Sequence, residues 1–419
     1  MKRYYLAAFI ICLAVLAAFS FIYNIWEEKE TLDLVRVGFL SENDEMTVHT
    51  YNFFQSRNIL EKEFQDHVEI FTRANVGNDQ TEEALMELVH SGCNIIFANT
   101  RSNEVRIAAR NNPDVQFCQI SNAVAVNQMG GGNFHTFNAK RFEAHYVGGV
   151  VAGLKLRELI DSGVITAEEA LVGYVASYQT ADVISGFTSF FLGVHSVAPE
   201  ALMRVRYVHA LSNFLIAKNI AKELIDEGCV IIAQNCGTTG PAAACQDAAG
   251  KRPVFHVGFD QNMIDIAPSV SLVSPRINWD PYVLNAVQAV KNNEPIEEVV
   301  PGNVNGNDVW AGFDQGWLEM LELNDNVAPE GTEDEMNRVI EALKKGQIEI
   351  FKGSYIGENP DDPRIVTDLK WGYPENRSSS KPNFHYILRD LITVETEETG
   401  TWTGNQWTGI SGLGSVVIE

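Results

Sequence analysis

Several polar residues with ligand-binding chemistry follow short apolar segments of the sequence. Asp260 comes directly after such a segment, and its carboxylate could accept protons from two hydroxyl groups. Gly237 and Gly240 precede a predicted helix, where residues without a Cβ let a ligand approach the free backbone N–H groups. Arg276 offers a planar pair of donors that suits a carboxylate or paired hydroxyls. Together these residues predict a site for a small polar solute.

Each of these residues also has a structural interpretation that the sequence leaves open. Asp260 could cap a helix over Gln261–Ala267. Gly237 could belong to an ordinary strand-to-helix turn. Arg276 could form an ion pair at a hinge or on the surface instead of contacting a solute.

Near-continuous apolar runs alternate with amphipathic segments, a pattern typical of parallel sheets with helices on both faces. The sequence therefore predicts an α/β protein. Predicted helices are Asn52–Phe64, Thr81–His90 and Asn103–Asn111. Predicted strands are Val35–Leu40, Val68–Arg73, Asn94–Ala98, Val115–Ile120, Val172–Ala176, Arg204–Val208, Val230–Gln234, Val254–Gly258 and Val270–Val273.

Ligands of such sheets bind beyond the carboxyl ends of the strands. This rule adds Asn99, Ser121 and Asn122 to the candidate site residues, because each follows or ends a predicted strand.

An internal echo indicates that the chain contains two lobes of the same type. Glu87–Ile96 and Glu223–Ile232 share the pattern of a helix end, a Gly-Cys pair and a buried strand. The two copies are offset by 136 residues, from Cys93 to Cys229. Glycine at the helix end supplies the left-handed turn into the sheet. We therefore expect two doubly wound lobes.

Composition and charge exclude some classes of function. The 419 residues exceed one typical domain, and the formal net charge of -24 argues against nucleic-acid binding, which needs a basic face. Nucleotide-binding, hydrolase and metalloprotease motifs are absent from the sequence, so no enzyme activity is predicted. The sequence predicts no cofactor and no metal site.

The first 30 residues predict export. Lys2 and Arg3 precede an almost wholly apolar run from Tyr4 to Ile25, which is long enough to span a bilayer with the rest of the chain outside. A cleaved signal peptide is the alternative. Five cysteines lie beyond this segment, and their spacing fits no zinc motif. Most are expected to be buried thiols, although a Cys236–Cys245 bridge stays open.

Eight motifs follow one another in a recognisable order between about Val35 and Gly353. They are Arg36–Leu40, Thr50–Asn52, Phe142–Gly153, Val172–Val175, Gly186–Val194, Cys236–Gly240, Val257–Asp260 and Ser274–Arg276. In order and spacing they resemble the basic membrane protein family of ABC-transporter substrate-binding proteins, whose members include purine nucleoside receptors. The resemblance implies a type I periplasmic-binding-protein fold that closes by a hinge, and an ABC permease as partner.

The resemblance also assigns roles within the site. It implies that Asp260 binds ribose and that Tyr51 covers a base face, although Tyr51 could equally pack in the core. Thr47 and Asn52 flank Tyr51 and are expected near the ligand. Phe214 could supply a second aromatic wall or belong to the core.

Two departures from the family pattern weaken nucleobase recognition. Ser121 and Asn122 stand where the family has an acid, and an uncharged acceptor binds a ring N–H less strongly. Thr47-Val48-His49 replaces the Asn-Asp of the family. His49 could restore some polarity, but a lone histidine is more often a surface residue.

The resemblance gives the expected organisation and function. Residues 34–140 with about 256–280 should form one lobe, and 141–255 with about 281–353 the other. Residues 354–419 lie beyond the family fold, as a small β unit, a docking element or a disordered tail. The expected function is capture of a nucleoside-like solute for an ABC importer outside the cytoplasm. A receptor that signals without transport, or an enzyme on the same scaffold, are the alternatives.

Overall fold

The computed structural model describes residues 31–121, 125–129 and 132–395, and the backbone of 401–403 and 406–408. The expectations for residues 1–30 and for Asn122 lie outside these ranges. Short 3-10 turns aside, the helices are α1 Val48–Phe64, α2 Thr81–His90, α3 Glu104–Asn111, α4 Arg141–Asp161, α5 Ala181–Val197, α6 Phe214–Asp226, α7 Gly240–Ala248, α8 Asp280–Lys291, α9 Ile296–Val299 and α10 Thr332–Lys344.

The strands are numbered β1–β20 in chain order. They are β1 Val35–Ser41, β2 Val68–Arg73, β3 Ile95–Asn99, β4 Gln116–Ile120, β5 Phe134–Ala139, β6 Leu171–Ala176, β7 Leu202–Tyr207, β8 Ile231–Gln234, β9 Phe255–Val257, β10 Ser271–Val273, β11 Pro275–Ile277, β12 Asn303–Asn305, β13 Asp308–Ala311, β14 Leu318–Met320, β15 Ile356–Glu358, β16 Val366–Asp368, β17 Ile387–Leu388, β18 Ile392–Glu395, β19 Thr401–Thr403 and β20 Gln406–Thr408.

Two large sheets define two lobes. The first sheet has the order β12-β13-β5-β4-β3-β1-β2, and the second has the order β10-β9-β8-β6-β7-β18. All neighbours pair in parallel except β12 with β13. These strands are near-continuous apolar runs because helices cover both faces of each sheet. We call the two units the first lobe and the second lobe.

The internal echo is confirmed by the topology. Strands β2-β1-β3-β4-β5 of the first sheet and β7-β6-β8-β9-β10 of the second follow the same doubly wound order. The two echo segments occupy matching places, α2 to β3 and α6 to β8. Gly92 and Gly228 both adopt positive φ, +81° and +98°, so each makes the left-handed turn that the sequence predicts.

The predicted lobe boundaries are wrong in the second half of the chain. Strands β9 and β10, expected in the first lobe, belong to the second sheet, whereas β12 and β13 join the first. Helix α8 packs against α1, β1 and β3 of the first lobe. The chain thus crosses between lobes at residues 139–141, 277–280 and 311–318. The reason lies in the chain order, because β9 and β10 join the second sheet before the chain crosses to the first lobe at residues 277–280.

The second and third crossings are joined by a short antiparallel ribbon. Strands β11 and β14 pair with Arg276 directly opposite Glu319, and the two side chains form an ion pair. Directly opposed charges of unlike sign are favourable cross-strand neighbours. Arg276 is therefore a hinge residue in this structure, which was one of the two roles that the sequence left open.

Residues 354–395 form a C-terminal strap that touches both lobes. Strands β15, β16 and β17 make a small sheet, and β18 extends the second sheet beside β7. On the other lobe, the Ser380 backbone N–H and hydroxyl both donate to the Asp308 carboxylate, at 2.8 and 2.5 Å. The described part of the extension is therefore a packed β unit.

The main hydrophobic core is continuous through both lobes, and smaller clusters lie under α2–α3 and under α6–α7. All five cysteines in the described ranges are buried and unbridged, Cys236 and Cys245 included. Burial raises the pKa of the Cys93 thiol to about 11 and that of Cys236 to about 12, so these thiols stay protonated. Within the ranges described, the helices are all too short or too polar to cross a membrane.

Candidate functional site

A cavity of about 130 Å³, lined by charged, polar and apolar side chains, lies between the lobes at the carboxyl ends of their strands. The first lobe contributes residues that follow β1 and β3, and the second lobe contributes residues that follow β6, β8 and β9. This is the place where doubly wound sheets bind their ligands. The cavity wall therefore identifies the candidate site.

Asp260 lies at the base of the cavity and is held rigidly. Its backbone adopts φ +58°, an uncommon conformation for a residue with a side chain, and its N–H donates to the Pro275 carbonyl at 2.8 Å. Its Oδ1 accepts from the Ile277 N–H at 3.1 Å and from Asn52 Nδ2 at 3.2 Å. Asn52 also donates to the Ile277 carbonyl at 2.9 Å. The carboxylate is thus fixed by the hinge ribbon and α1.

His49 of the first lobe reaches across the cavity to the second lobe. Its Nδ1 lies 2.6 Å from Asp260 Oδ2, and its Nε2 lies 3.0 Å from the Asn235 carbonyl oxygen. A carbonyl oxygen only accepts, so Nε2 must carry a proton. A carboxylate also only accepts, so both ring nitrogens donate when Asp260 is ionised. His49 therefore bridges the two lobes through both of its ring nitrogens.

An ion pair from two helix starts forms the opposite wall. Arg141 Nη1 donates to Asp182 Oδ2 at 2.8 Å, and both side chains are only 12% exposed. Burial raises the pKa of Asp182 above its ordinary value, and Arg141 partly offsets this. Asp182 Oδ1 is buried and accepts no hydrogen bond. Such an oxygen is costly to leave without a donor.

A second ion pair stands at the rim and faces the other lobe. Glu42 Oε1 accepts from Arg101 Nε at 3.0 Å, and Oε2 accepts from the Arg101 backbone N–H at 3.0 Å. The Arg101 guanidinium lies 5.6 Å from the centre of the Tyr178 ring, which belongs to the second lobe. This cation–π contact closes one side of the cavity.

The cavity also has apolar lining residues. Trp279 lines the cavity, is 5% exposed, and is held edge-on by Phe53 and Phe137 at 6.0 and 5.6 Å between ring centres. Ile120, Val183, Leu211 and Ile277 complete this surface. The site therefore combines an aromatic wall with charged groups at both ends.

The structure brings four of the predicted site residues to the cavity or next to it. Asp260 and Asn99 line it. Asn52 is buried behind Asp260 and orients its carboxylate. Gly237 lies under His49, because a Cβ there would come within 3.2 Å of the imidazole Cδ2. Its carbonyl accepts from the Val48 N–H at 3.4 Å.

Five other predicted residues face elsewhere. Tyr51 is 49% exposed on α1 and Phe214 is 43% exposed on α6, and neither lines the cavity. The Thr47 hydroxyl donates to the Asp44 carbonyl at 2.9 Å. Ser121 is buried, and its Oγ lies within hydrogen-bond distance of the Ser380 Oγ of the strap, at 2.5 Å. Arg276 is held by Glu319 in the hinge ribbon.

The sequence analysis missed Arg141, Asp182 and Trp279. Asp182 lies two residues beyond the Ser177–Thr180 loop that follows a predicted strand, so the strand-end rule could have found it. Arg141 follows β5, whose alternating polar residues hid the strand. Across the described residues, no group of three or more His, Cys, Asp or Glu side chains is placed to hold a metal ion.

Two parallel-sheet lobes, three crossings and an interlobe cavity define a two-lobed solute receptor with the type I periplasmic-binding-protein fold. Residues 48–352 match the family model for PnrA-like ABC transporter substrate-binding proteins, and the chain belongs to this family. The fold and interlobe cavity thus agree with the family assignment. The protein is an ABC substrate-binding protein.

Two curated relatives extend the comparison. A purine-binding protein from Brucella abortus is 25% identical over 334 residues, covering 76% of this chain and 85% of the relative. A putative ABC transporter glucose-binding protein from Haloferax volcanii is 23% identical over 310 residues, covering 74% and 71%. Both relatives are named as solute-binding proteins.

Solved structures share the fold at low sequence identity. A solute-binding protein from Aeropyrum pernix superposes with a TM-score of 0.60 at 15% identity, covering 75% of this chain and 92% of that one. A second, from Conexibacter woesei, gives 0.57 at 14% identity, covering 75% and 97%. These structures support the fold assignment alone.

Proposed function

We propose that this receptor captures a nucleoside-like, purine-containing solute between its lobes and presents it to an ABC permease outside the cytoplasm. One observation carries the proposal most directly: the cavity pairs the Trp279 wall with charged groups from both lobes. Aromatic faces stack on any base, and buried carboxylate and arginine groups read polar ring edges. The name of the Brucella relative supports a purine, although the Haloferax relative is named for glucose.

Closure of the two lobes around the solute is the mechanism that the geometry supports. Hinge motion about a few crossing residues is the usual way in which two-lobed receptors enclose ligands. Here the crossing at residues 277–280 lies beside Asp260, which accepts from the Ile277 N–H, and His49 already spans the cleft. A solute held between Trp279 and the Arg141–Asp182 pair would add contacts that only the closed form offers.

Calorimetry on the purified full-length chain tests the proposal. The panel contains purine nucleosides, free purines, pyrimidine nucleosides and hexoses. We expect at least one purine compound to bind, with affinity in the micromolar range or tighter. Binding of hexoses alone, or of no purine compound, would contradict it.

The extracytoplasmic tether is the second part of the proposal. The apolar run Tyr4–Ile25 supports it, with Lys2 and Arg3 before it. Fractionation of cells that produce the full chain should place it in the membrane and leave its size unchanged. Recovery of a shortened, soluble protein would show that the segment is a cleaved signal peptide.

A further inference from the structure

The carboxylate best placed to bind ribose is already used by the protein. Three donors hold Asp260: the Ile277 N–H and Asn52 Nδ2 on Oδ1, and His49 Nδ1 on Oδ2. Two neighbouring hydroxyls are bound bidentately when both oxygens of a carboxylate face them. Here a sugar diol would have to displace His49, which would also lose its contact with the Asn235 carbonyl.

The Asp182 carboxylate, which also lines the cavity, presents a different chemistry. Asp182 Oδ1 has no donor, while its Oδ2 is paired with Arg141. The pair therefore places one hydrogen-bond acceptor next to a guanidinium group, which only donates. An acceptor beside a donor complements the edge of a heterocycle that carries a ring N–H beside a carbonyl or ring nitrogen.

The shape of the apolar wall agrees with that edge. Trp279 supplies an aromatic ring, and the aliphatic residues Ile120 and Val183 line the same cavity. A planar ring can stack on this wall while one edge meets Arg141 and Asp182. A hexose carries hydroxyls around its whole ring, so the apolar wall would leave several of them without partners.

We infer that the solute is a free nucleobase, or a planar heterocycle of that size, and that Arg141 and Asp182 read its edge while His49 keeps Asp260 from binding a ribose. This inference rests on the proposed function and narrows it. The acid that the family places after the fourth strand is thus supplied from the second lobe, at the start of α5.

Matched base and nucleoside pairs provide the test: hypoxanthine with inosine, and adenine with adenosine, titrated into the full-length chain. We expect each base to bind at least tenfold more tightly than its nucleoside. Glucose and ribose, run in parallel, should bind more weakly than the bases.

Two variants test the assigned roles. Asp182→Asn should weaken binding of the base at least tenfold. Its control is Asp247→Asn, which changes an exposed aspartate of α7 that pairs with Lys218 and should leave binding unchanged.

His49→Ala frees Asp260 Oδ2 and should raise the affinity for the nucleoside relative to the base by several-fold. His90→Ala, at the exposed end of α2, is its control. Circular dichroism and thermal melting show that each variant is folded.

The outcomes separate the inference from the proposed function. A nucleoside that binds as tightly as its base would overturn the inference and leave the function standing. If no purine compound binds, the proposed function itself is wrong. Unchanged binding by a folded Asp182→Asn variant, or an unchanged base-to-nucleoside ratio in His49→Ala, would overturn the residue assignments.

Discussion

The two lobes share one strand order but are packed by different means. In the first lobe, aromatic rings fill the space between the sheet and its helices: Phe137 stacks on Tyr282 with 3.8 Å between ring centres. In the second lobe, α4 and α5 meet backbone to backbone, because a Cβ at Gly149 would lie 1.9 Å from the Phe190 carbonyl oxygen. Likewise, a Cβ at Gly193 would lie 2.1 Å from the Tyr146 carbonyl oxygen.

This difference shows that topology does not dictate packing. A core of large rings loses most when a ring is removed, since a cavity remains. A close helix pair loses most when an atom is added, since the helices must separate. The stability of the first lobe should therefore fall most when a buried side chain is made smaller, and that of the second lobe when one is made larger.

Phe137→Ala should have the largest effect. Its ring is fully buried and contacts both Tyr282 and Trp279, so truncation should lower the free energy of unfolding by about 3–5 kcal/mol. Urea titration followed by fluorescence measures the loss. Phe214→Ala, at a half-exposed ring of the second lobe, is the control and should cost less than about 1 kcal/mol. Similar losses of unfolding free energy for both variants would contradict the idea that the first lobe depends on its buried rings.

Gly149→Ala should come next, at about 2–3 kcal/mol, because one methyl group must push α4 away from α5. The neighbouring Gly148 provides a matched control on the same helix. A Cβ there meets only side chains, Pro275 Cγ at 3.0 Å and Val257 Cγ1 at 3.4 Å, which can adjust. We expect Gly148→Ala to cost clearly less. Equal urea midpoints for the two variants would show that the close contact is not essential.

Much of the fold could be predicted from the sequence, because apolar runs and helix-ending glycines are local signals. The echo around Cys93 and Cys229 correctly predicted two matching lobes. The exchange of β9, β10, β12 and β13 between lobes could not be predicted, since short strands of similar composition suit either sheet. Strand β5 was missed because its polar residues Thr136 and Asn138 are buried by tertiary contacts.

The candidate site was predictable only where a cavity residue comes at or just after the end of a recognisable strand, as Asp260 and Asn99 do. Ser121 also follows such a strand, yet its partner is Ser380, 259 residues further along the chain. The sequence suggested a ligand contact for Arg276 but did not reveal its cross-strand partner Glu319. That pairing depends on the register of β11 against β14 in the hinge ribbon. Long-range partners of this kind have no signature in local sequence.

Ser380→Ala tests the contact between the strap and the first lobe. The strap adds strand β18 to the second sheet, and Ser380 hydrogen-bonds to Asp308 of the first sheet. The Ser380 hydroxyl donates to the buried Asp308 carboxylate, and hydrogen bonds to charged groups contribute about 1.5–3 kcal/mol. The backbone N–H of residue 380 still donates to Asp308, so we expect a loss of about 1–2 kcal/mol. Hydrogen exchange should also speed up at residues 376–380.

Ser378→Ala is the matched control for that variant. Gln128 and Asn305 both donate to the Ser378 backbone carbonyl at 2.9 Å, which the substitution retains. Its side chain is exposed, so stability and exchange should hardly change. Equal effects of the two serine variants would show that the hydroxyl of Ser380 does not fasten the strap.

Glu395→Gln should have the smallest effect and compares the outer strands of the two sheets. In the first lobe β2 ends the sheet, and Glu69 pairs with Arg36, which is 43% exposed. In the second lobe β18 covers β7, and Glu395 pairs with Arg206, which is 18% exposed. Exposed ion pairs contribute at most about 1 kcal/mol, and less as salt rises.

We expect Glu395→Gln to lower the free energy of unfolding by a few tenths of a kcal/mol more than Glu69→Gln does in low salt, because the arginine that pairs with Glu395 is better shielded from solvent. The difference should shrink in 1 M salt, where the Debye length is about 3 Å. A larger cost for Glu69→Gln would mean that the strap adds a strand to the second sheet without stabilising its edge.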